Sequence, residues 1–208
     1  MLRRWLRWLR LVELGLVCAG CASANSSNAW LYTPPPFGFY GMQCITQRHV
    51  VCLVDDEMNI AQCRRTVLPA IEEINKAVGR EIYRFDGFST FDGATALLQL
   101  NAGIYLIMGA KALPAETLGT TQTIGSDFAP TFNCIDRVVT RINPILWGRP
   151  YETAVLVHEM VHALGAGHTP DGGAFGSIML PQVGSPTWRD HLTEFDIANL
   201  RRVYGTIR

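Results

Sequence analysis

The stretch His158-Glu159-Met160-Val161-His162-Ala163-Leu164-Gly165-Ala166-Gly167-His168 limits what this chain can fold into more than any other. Residues Tyr151 to Leu164 are rich in Ala, Val, Leu and Glu, and Pro150 stands where a first helical turn tolerates it, so the sequence predicts a helix there. Residues four apart share a helix face. His158 and His162 therefore offer two imidazoles to one cation, and Glu159 lies close enough to act on a metal-bound water. Gly165 is placed to end the helix, because glycine enters the left-handed region without a Cβ clash. The chain can then turn back and bring His168 to the same cation. Three neutral imidazoles with one open position describe a catalytic zinc site, whereas structural zinc sites are closed by a fourth protein ligand. Three of the chain's five histidines fall inside this stretch, which sets it apart from a chance pair on an amphipathic helix.

The same residues resemble the extended H-E-x-x-H-x-x-G-x-x-H of the metzincin metallopeptidases, in which a Met-turn follows. Ser177-Ile178-Met179-Leu180-Pro181 fits that turn. The run His162-Ala163-Leu164-Gly165 and the segment Leu192-Thr193-Glu194-Phe195-Asp196-Ile197, closing at Tyr204-Gly205, are similar to the matrixin branch. The resemblance covers residues 151–205 closely and 50–150 only in the order of elements. It implies an α+β metzincin-like domain: a mixed, twisted sheet of four to five strands, an active-site helix, a backing helix and a C-terminal helix. It also implies a zinc endopeptidase with one catalytic Zn2+ on His158, His162 and His168. Glu159 would be the general base that activates the water and then passes the proton to the leaving amine. Met179 would form an apolar floor under the ligands, and Asp196 would hydrogen-bond the Met-turn backbone. A peptide substrate would lie extended along the edge strand. Pro181-Gln182-Val183 resembles the Pro-x-Tyr wall of the main specificity pocket, with Val183 in the tyrosine position, which implies cleavage before bulky apolar residues.

This sequence also departs from the pattern. Thr169 follows the third histidine, where the better-known branches carry a different neighbour, and no tyrosine stands two residues after Met179. Phe195 replaces a second acid often found in matrixins. Only His49 and His191 lie outside the motif, too few for a second, structural zinc site, and no inhibitory Cys-Gly propeptide motif is present. The competing reading is a non-catalytic zinc-binding surface or adhesion lipoprotein on the same fold. Glu159 argues against it, because binding zinc does not require that acid.

The 208 residues are 48% hydrophobic, enough for one domain with a substantial core. Residues 1–24 read as an export signal: Arg3, Arg4, Arg7 and Arg10, an apolar run from Leu11 to Ala19, then small residues. The run is too short to span a bilayer. Cys18-Ala19-Gly20-Cys21 resembles a bacterial lipobox with Cys21 as the lipidated residue, while Ala22-Ser23-Ala24 offers a competing cleavage site. An amphipathic basic helix on a membrane surface, with Trp5 and Trp8 in the interface, is the third reading of this segment. Without the first twenty residues the chain keeps 14 basic and 17 acidic side chains, a net charge of −3, and no basic footprint for nucleic acid. The expected partners are therefore a protein or peptide substrate and, through a lipid alone, a membrane; a monomer is expected. Residues 25–43, with Pro34-Pro35-Pro36, read as an extended tether before a domain at 44–208. Beyond the leader, Cys44, Cys52, Cys63 and Cys134 allow one or two disulfides in three full pairings, or buried free thiols.

Within the domain, His49 to Asp55 reads as a strand and residues 59–78 as a helix whose buried face is Cys63, Val67, Ile71, Ile74 and Val78. Pro69 is expected to kink or divide that helix. Glu81 to Phe85 reads as a second strand, stopped by Asp86-Gly87. Residues 86–96 hold Asp86, Asp92 and glycines; the spacing gives calcium no real support, and a plain turn is expected. Gly103 to Met108 is apolar throughout and should be central in the sheet, whereas Leu118 to Ile124, with its alternating threonines, should be an exposed edge. Ile135 to Ile142 is a fifth strand, and Thr193 to Val203 a final helix capped by Thr193.

Overall fold

A computed structural model describes residues 47–55, 57–90, 103–126, 134–169 and 176–205. Among them run β1 (Arg48–Leu53), α1 (Ile60–Val78), β2 (Tyr83–Ser89), β3 (Ile104–Gly109), β4 (Gly119–Ser126), β5 (Cys134–Ile142), a short 3-10 turn at Pro144–Leu146, α2 (Glu152–Ala163) and α3 (Glu194–Tyr204). The five strands form one mixed sheet in the order β2-β1-β3-β5-β4. β1 pairs in parallel with both β2 and β3, and β3 pairs in parallel with β5. β4 alone runs antiparallel, along β5, and closes one edge. β3 lies at the centre because its Ile104 to Ile107 run is apolar on both pleat directions and is buried throughout.

Asn59 starts α1: its side chain accepts from the Gln62 backbone N–H at 2.9 Å, satisfying a donor the helix cannot. Gly79 ends it at φ 85°, with its N–H on the Asn75 carbonyl. Pro69 does not divide the helix, one of the two outcomes expected from the sequence; α1 is a single 19-residue element. Pro69 sits on the exposed side, next to Leu68 at 38% exposure, so the carbonyl that loses its partner faces water. The opposite stripe, Cys63, Val67, Ala70, Ile71, Ile74 and Val78, is buried in the main core with Val50, Tyr83, Ile107, Val138 and residues of α2. A smaller cluster, Val51, Leu53, Leu106 and Val139, lies apart from that core, as the alternation of side chains along β1 requires.

Asp86-Gly87 does not stop the second strand. In the register Val50 faces Phe85 and Val51 faces Gly87, so Asp86 is an extra residue bulged out of β2, and Gly87 takes φ 109° to allow it. Asp86 spends its carboxylate on His49, at 3.2 Å. Asp92, the other acid of the 86–96 segment, lies outside the described residues, as do the leader, the tether, Cys21 and Cys44. Among the described residues no helix is long and apolar enough to cross a membrane.

Helix α2 packs against α1 and against β4 and β5, while α1 packs against β2. Glu152, buried at its first turn, joins it to α1: its carboxylate accepts from the side chains of Gln62 and Thr66, and from the Gly148 N–H at 2.7 Å. Behind it, Tyr83 on β2 donates to the Met160 carbonyl at 2.9 Å, and Tyr204 on α3 donates to the Leu164 carbonyl. Arg201 and Arg80 tie α3 to the end of α1 through the carbonyls of Ala77 and Tyr204. Helix α2 is thereby fixed at its start, its middle and its end.

Candidate metal centre

α2 ends where the sequence places its breaker. Gly165 takes φ 90°, and its N–H donates to the His162 carbonyl at 2.8 Å. The chain reverses and returns His168 to the face that carries His158 and His162. The three Nε2 atoms stand 2.9, 3.1 and 3.3 Å apart. Two of the rings have their tautomer set by the backbone: Nδ1 of His158 donates to the Ile178 carbonyl and Nδ1 of His162 to the Ala166 carbonyl, each at 2.7 Å. With the proton on Nδ1, the Nε2 lone pairs of these two rings are left free, and a cation shared between them makes their close approach favourable. Three nitrogens about 2.0–2.1 Å from one tetrahedral ion would stand about 3.3 Å apart, so the observed triangle fits a small divalent metal to within a few tenths of an ångström. Among the described residues, His158, His162 and His168 are the cluster whose geometry could hold a metal ion.

Glu159 lies beside the first histidine and is 3% exposed. Its Oε2 accepts from the Thr121 hydroxyl at 2.7 Å. Thr121 in turn meets Thr140 at 2.7 Å, and Thr140 meets the Tyr105 hydroxyl at 2.8 Å. Gly119, two residues before Thr121 on the same pleat face, leaves room for the carboxylate: a Cβ there would fall 2.8 Å from Glu159 Cγ and 2.9 Å from Oε1. The threonines of β4 were expected from the sequence to mark an exposed edge. Thr121 instead turns inward and is 7% exposed, because the strand must supply a polar partner to a buried acid. Alternation along 118–124 was the available signal; its inward half simply carried polar residues.

The turn after the third histidine is held from below by Asp196 of α3. Its carboxylate accepts from the Ser177 hydroxyl at 2.5 Å and the Ile178 N–H at 3.2 Å. It also receives the Thr193 N–H at 2.9 Å, completing a capping box at the start of α3. Ser177 passes the support on to the Met179 N–H at 2.9 Å, and the Met179 carbonyl receives the Thr169 N–H at 2.9 Å. Met179 is fully buried in the main core. Since Ile178 is the residue whose carbonyl orients His158, Asp196 reaches the metal site through two hydrogen bonds. After the turn, Pro181 and Val183 are half-buried and Gln182 is exposed; Val183 packs on the core. Cys52 and Cys63 are buried as free thiols in that core, close enough to hydrogen-bond, and Cys134 opens β5.

Burial and the charge of His168 push the His158 pKa down to about 4, and burial likewise holds His162 well below the ordinary 6.5. Both rings are thus neutral, as ligands must be. Burial pushes Glu159 up to about 7 from its ordinary 4.5, with the Thr121 bond pulling the other way. Because its folded pKa lies above the unfolded one, the protonated carboxyl favours folding; that contribution is complete below pH 4.5 and is lost as pH rises through 7. In chelator-treated protein, Glu159→Gln should therefore melt higher than the wild type at pH 8, by on the order of 2–3 kcal/mol, and the gain should vanish near pH 4.5. Calorimetry at the two pH values checks this; an equal difference at both would show that burial of the charge is not the cause.

No protein-family model matches the chain, and no curated protein matches it either. Among solved structures it is similar to metalloproteinase-II from Bacteroides fragilis, at 15% identity and a TM-score of 0.49. The match covers 88% of this chain and 59% of that one, so this chain spans less than two thirds of that protein's length.

Proposed function

We propose that this chain is an exported, zinc-dependent endopeptidase of the metzincin type, matrixin-like in its turn and final helix. The observation that supports it most is the convergence of three imidazole Nε2 atoms within 3.3 Å, with a buried carboxylate one residue from the first ligand. His158, His162 and His168 would hold the metal. Zinc bound there supplies Lewis acidity and a water acidic enough to ionise near neutral pH. Glu159, displaced upward by burial to about 7, is suited to accept a proton and to return it to the leaving amine. Among the described residues β4 is an edge of the sheet, where an extended peptide could pair with its backbone with affinity and little sequence preference. Glu159 distinguishes this reading from a zinc-binding module without turnover.

Metal analysis of the purified protein should find about one zinc per chain, and chelation should abolish peptide cleavage until zinc is restored. Glu159→Ala should keep the zinc and lose kcat by about 10²–10⁴-fold, whereas His162→Ala should lose both. Metal-free protein with unchanged peptidase activity would sink the assignment; zinc binding without any cleavage by the wild type would favour the binding module.

In this reading Pro181, Gln182 and Val183 wall the main pocket, and valine in place of an aromatic residue leaves it roomy and apolar. Cleavage should occur before Leu, Phe or Met, with a graded preference of about 1 kcal/mol per buried methylene. Val183→Tyr should shift a peptide-library profile toward narrower side chains; a profile dominated by charged residues would remove these residues from the pocket.

Export belongs to the same proposal, with either a lipid on Cys21 or cleavage after Ala24. Detergent partitioning separates the two: loss of partitioning in Cys21→Ser supports the anchor, and equal behaviour of both proteins supports free release.

A further inference from the structure

We propose that the edge strand β4 has a second task besides docking a peptide: through Thr121 and Gly119 it positions the carboxylate of Glu159, so that one strand sets both the substrate and the base. The proposal rests on the peptidase reading above. Its geometric basis is independent of the metal ligands. Thr121 Oγ1 lies 2.7 Å from Glu159 Oε2 and 2.9 Å from the Glu159 backbone carbonyl, so its one proton is shared between the side chain and the main chain of the same residue, with Oε2 the nearer acceptor. A hydroxyl has one proton to give. With that proton committed to Glu159, the Thr121 oxygen accepts from Thr140 at 2.7 Å, and Thr140 in turn accepts from Tyr105 at 2.8 Å, which strengthens the donation. All four side chains are buried, so water cannot substitute for any link in the chain.

Gly119 completes the seat. A side chain there would overlap Glu159 Cγ, Oε1 and Cδ at 2.8, 2.9 and 3.1 Å, so the absence of a Cβ defines where the carboxylate lies. φ at Gly119 is outside the left-handed region, so this glycine is required for space and not for its backbone angle. The register completes the argument. Gly119 pairs with Ile142 and Thr121 with Thr140 on the β5 side of β4, and among the described residues no strand pairs with its opposite edge, where a peptide would lie. A peptide docked there is aligned with the strand that holds the base. Thr121 is a positioning residue in this scheme and touches neither metal nor substrate.

The test compares Thr121→Val, which keeps the shape and removes the hydroxyl, with Thr121→Ser, which keeps the hydroxyl. Thr121→Val should lower kcat by about 10–100-fold, the range expected for losing a hydrogen bond to a charged group, with KM and zinc content little changed. Thr121→Ser should recover most of the loss. Gly119→Ala should lower kcat in the same way with zinc retained. A second readout needs no turnover: the infrared carboxyl band of Glu159 in metal-free protein, assigned by its disappearance in Glu159→Gln, should shift in Thr121→Val and return in Thr121→Ser. Unchanged kcat and an unmoved band in Thr121→Val would overturn the proposal, as would a Thr121→Ser protein as impaired as Thr121→Val. A shifted band in a protein that binds zinc but cleaves no peptide, even as wild type, would retain the hydrogen bond and reject the peptidase reading instead.

Discussion

Helix α2 carries Glu152, His158, Glu159 and His162 into the protein, and each buried polar group left without a partner would cost about 1–3 kcal/mol. Much of the remaining architecture answers that requirement. α1 supplies Gln62 and Thr66 to Glu152. The turn at 177–180 supplies a carbonyl to His158, the loop after Gly165 supplies one to His162, and β4 supplies Thr121 to Glu159. Each of these partners comes from a different element, so the packing that satisfies the helix also assembles the site.

The supports themselves are supported. Asp196 is fully buried and holds Ser177, Ile178 and Thr193 at once, which couples the start of α3 to the carbonyl that orients His158. The Tyr105–Thr140–Thr121 chain does the same for Glu159 from inside the sheet. Outer partners of this kind set ring orientation and ligand basicity, so they act on chemistry without touching it. They also explain how two histidines held neutral and an acid displaced upward can sit against the main core: low dielectric makes the shifts, and hydrogen-bond partners make the low dielectric tolerable.

Some of this was legible in the residues alone. The histidine triangle follows from helical period and one glycine, both local, and the apolar stripe of α1 follows from the same period. Central β3 and edge β4 followed from hydrophobicity. Other features were not. Pro69 lies within an unbroken helix because tertiary packing anchors the opposite face and water serves the freed carbonyl. Asp86-Gly87 looked like a turn and is a bulge, because the β1 pairing on both sides outweighs the local preference of Asp-Gly. Arg48, one residue before the expected first strand, is fully buried with its guanidinium on the Ile135 carbonyl at 2.6 Å.

By itself, the sequence determined the three converging histidines, the acid beside them, the breaker that turns the chain and the order of strands and helices, because each depends on neighbours within a few helical turns or on the pattern of a single segment. Only the tertiary structure decided what holds those residues in place. Thr121 meets Glu159 across 38 positions and Gln62 meets Glu152 across 90, distances at which no period survives in the chain. Such contacts are selected by burial: a polar group enclosed by the fold takes whichever donor the packing brings to it, and that choice is made in three dimensions.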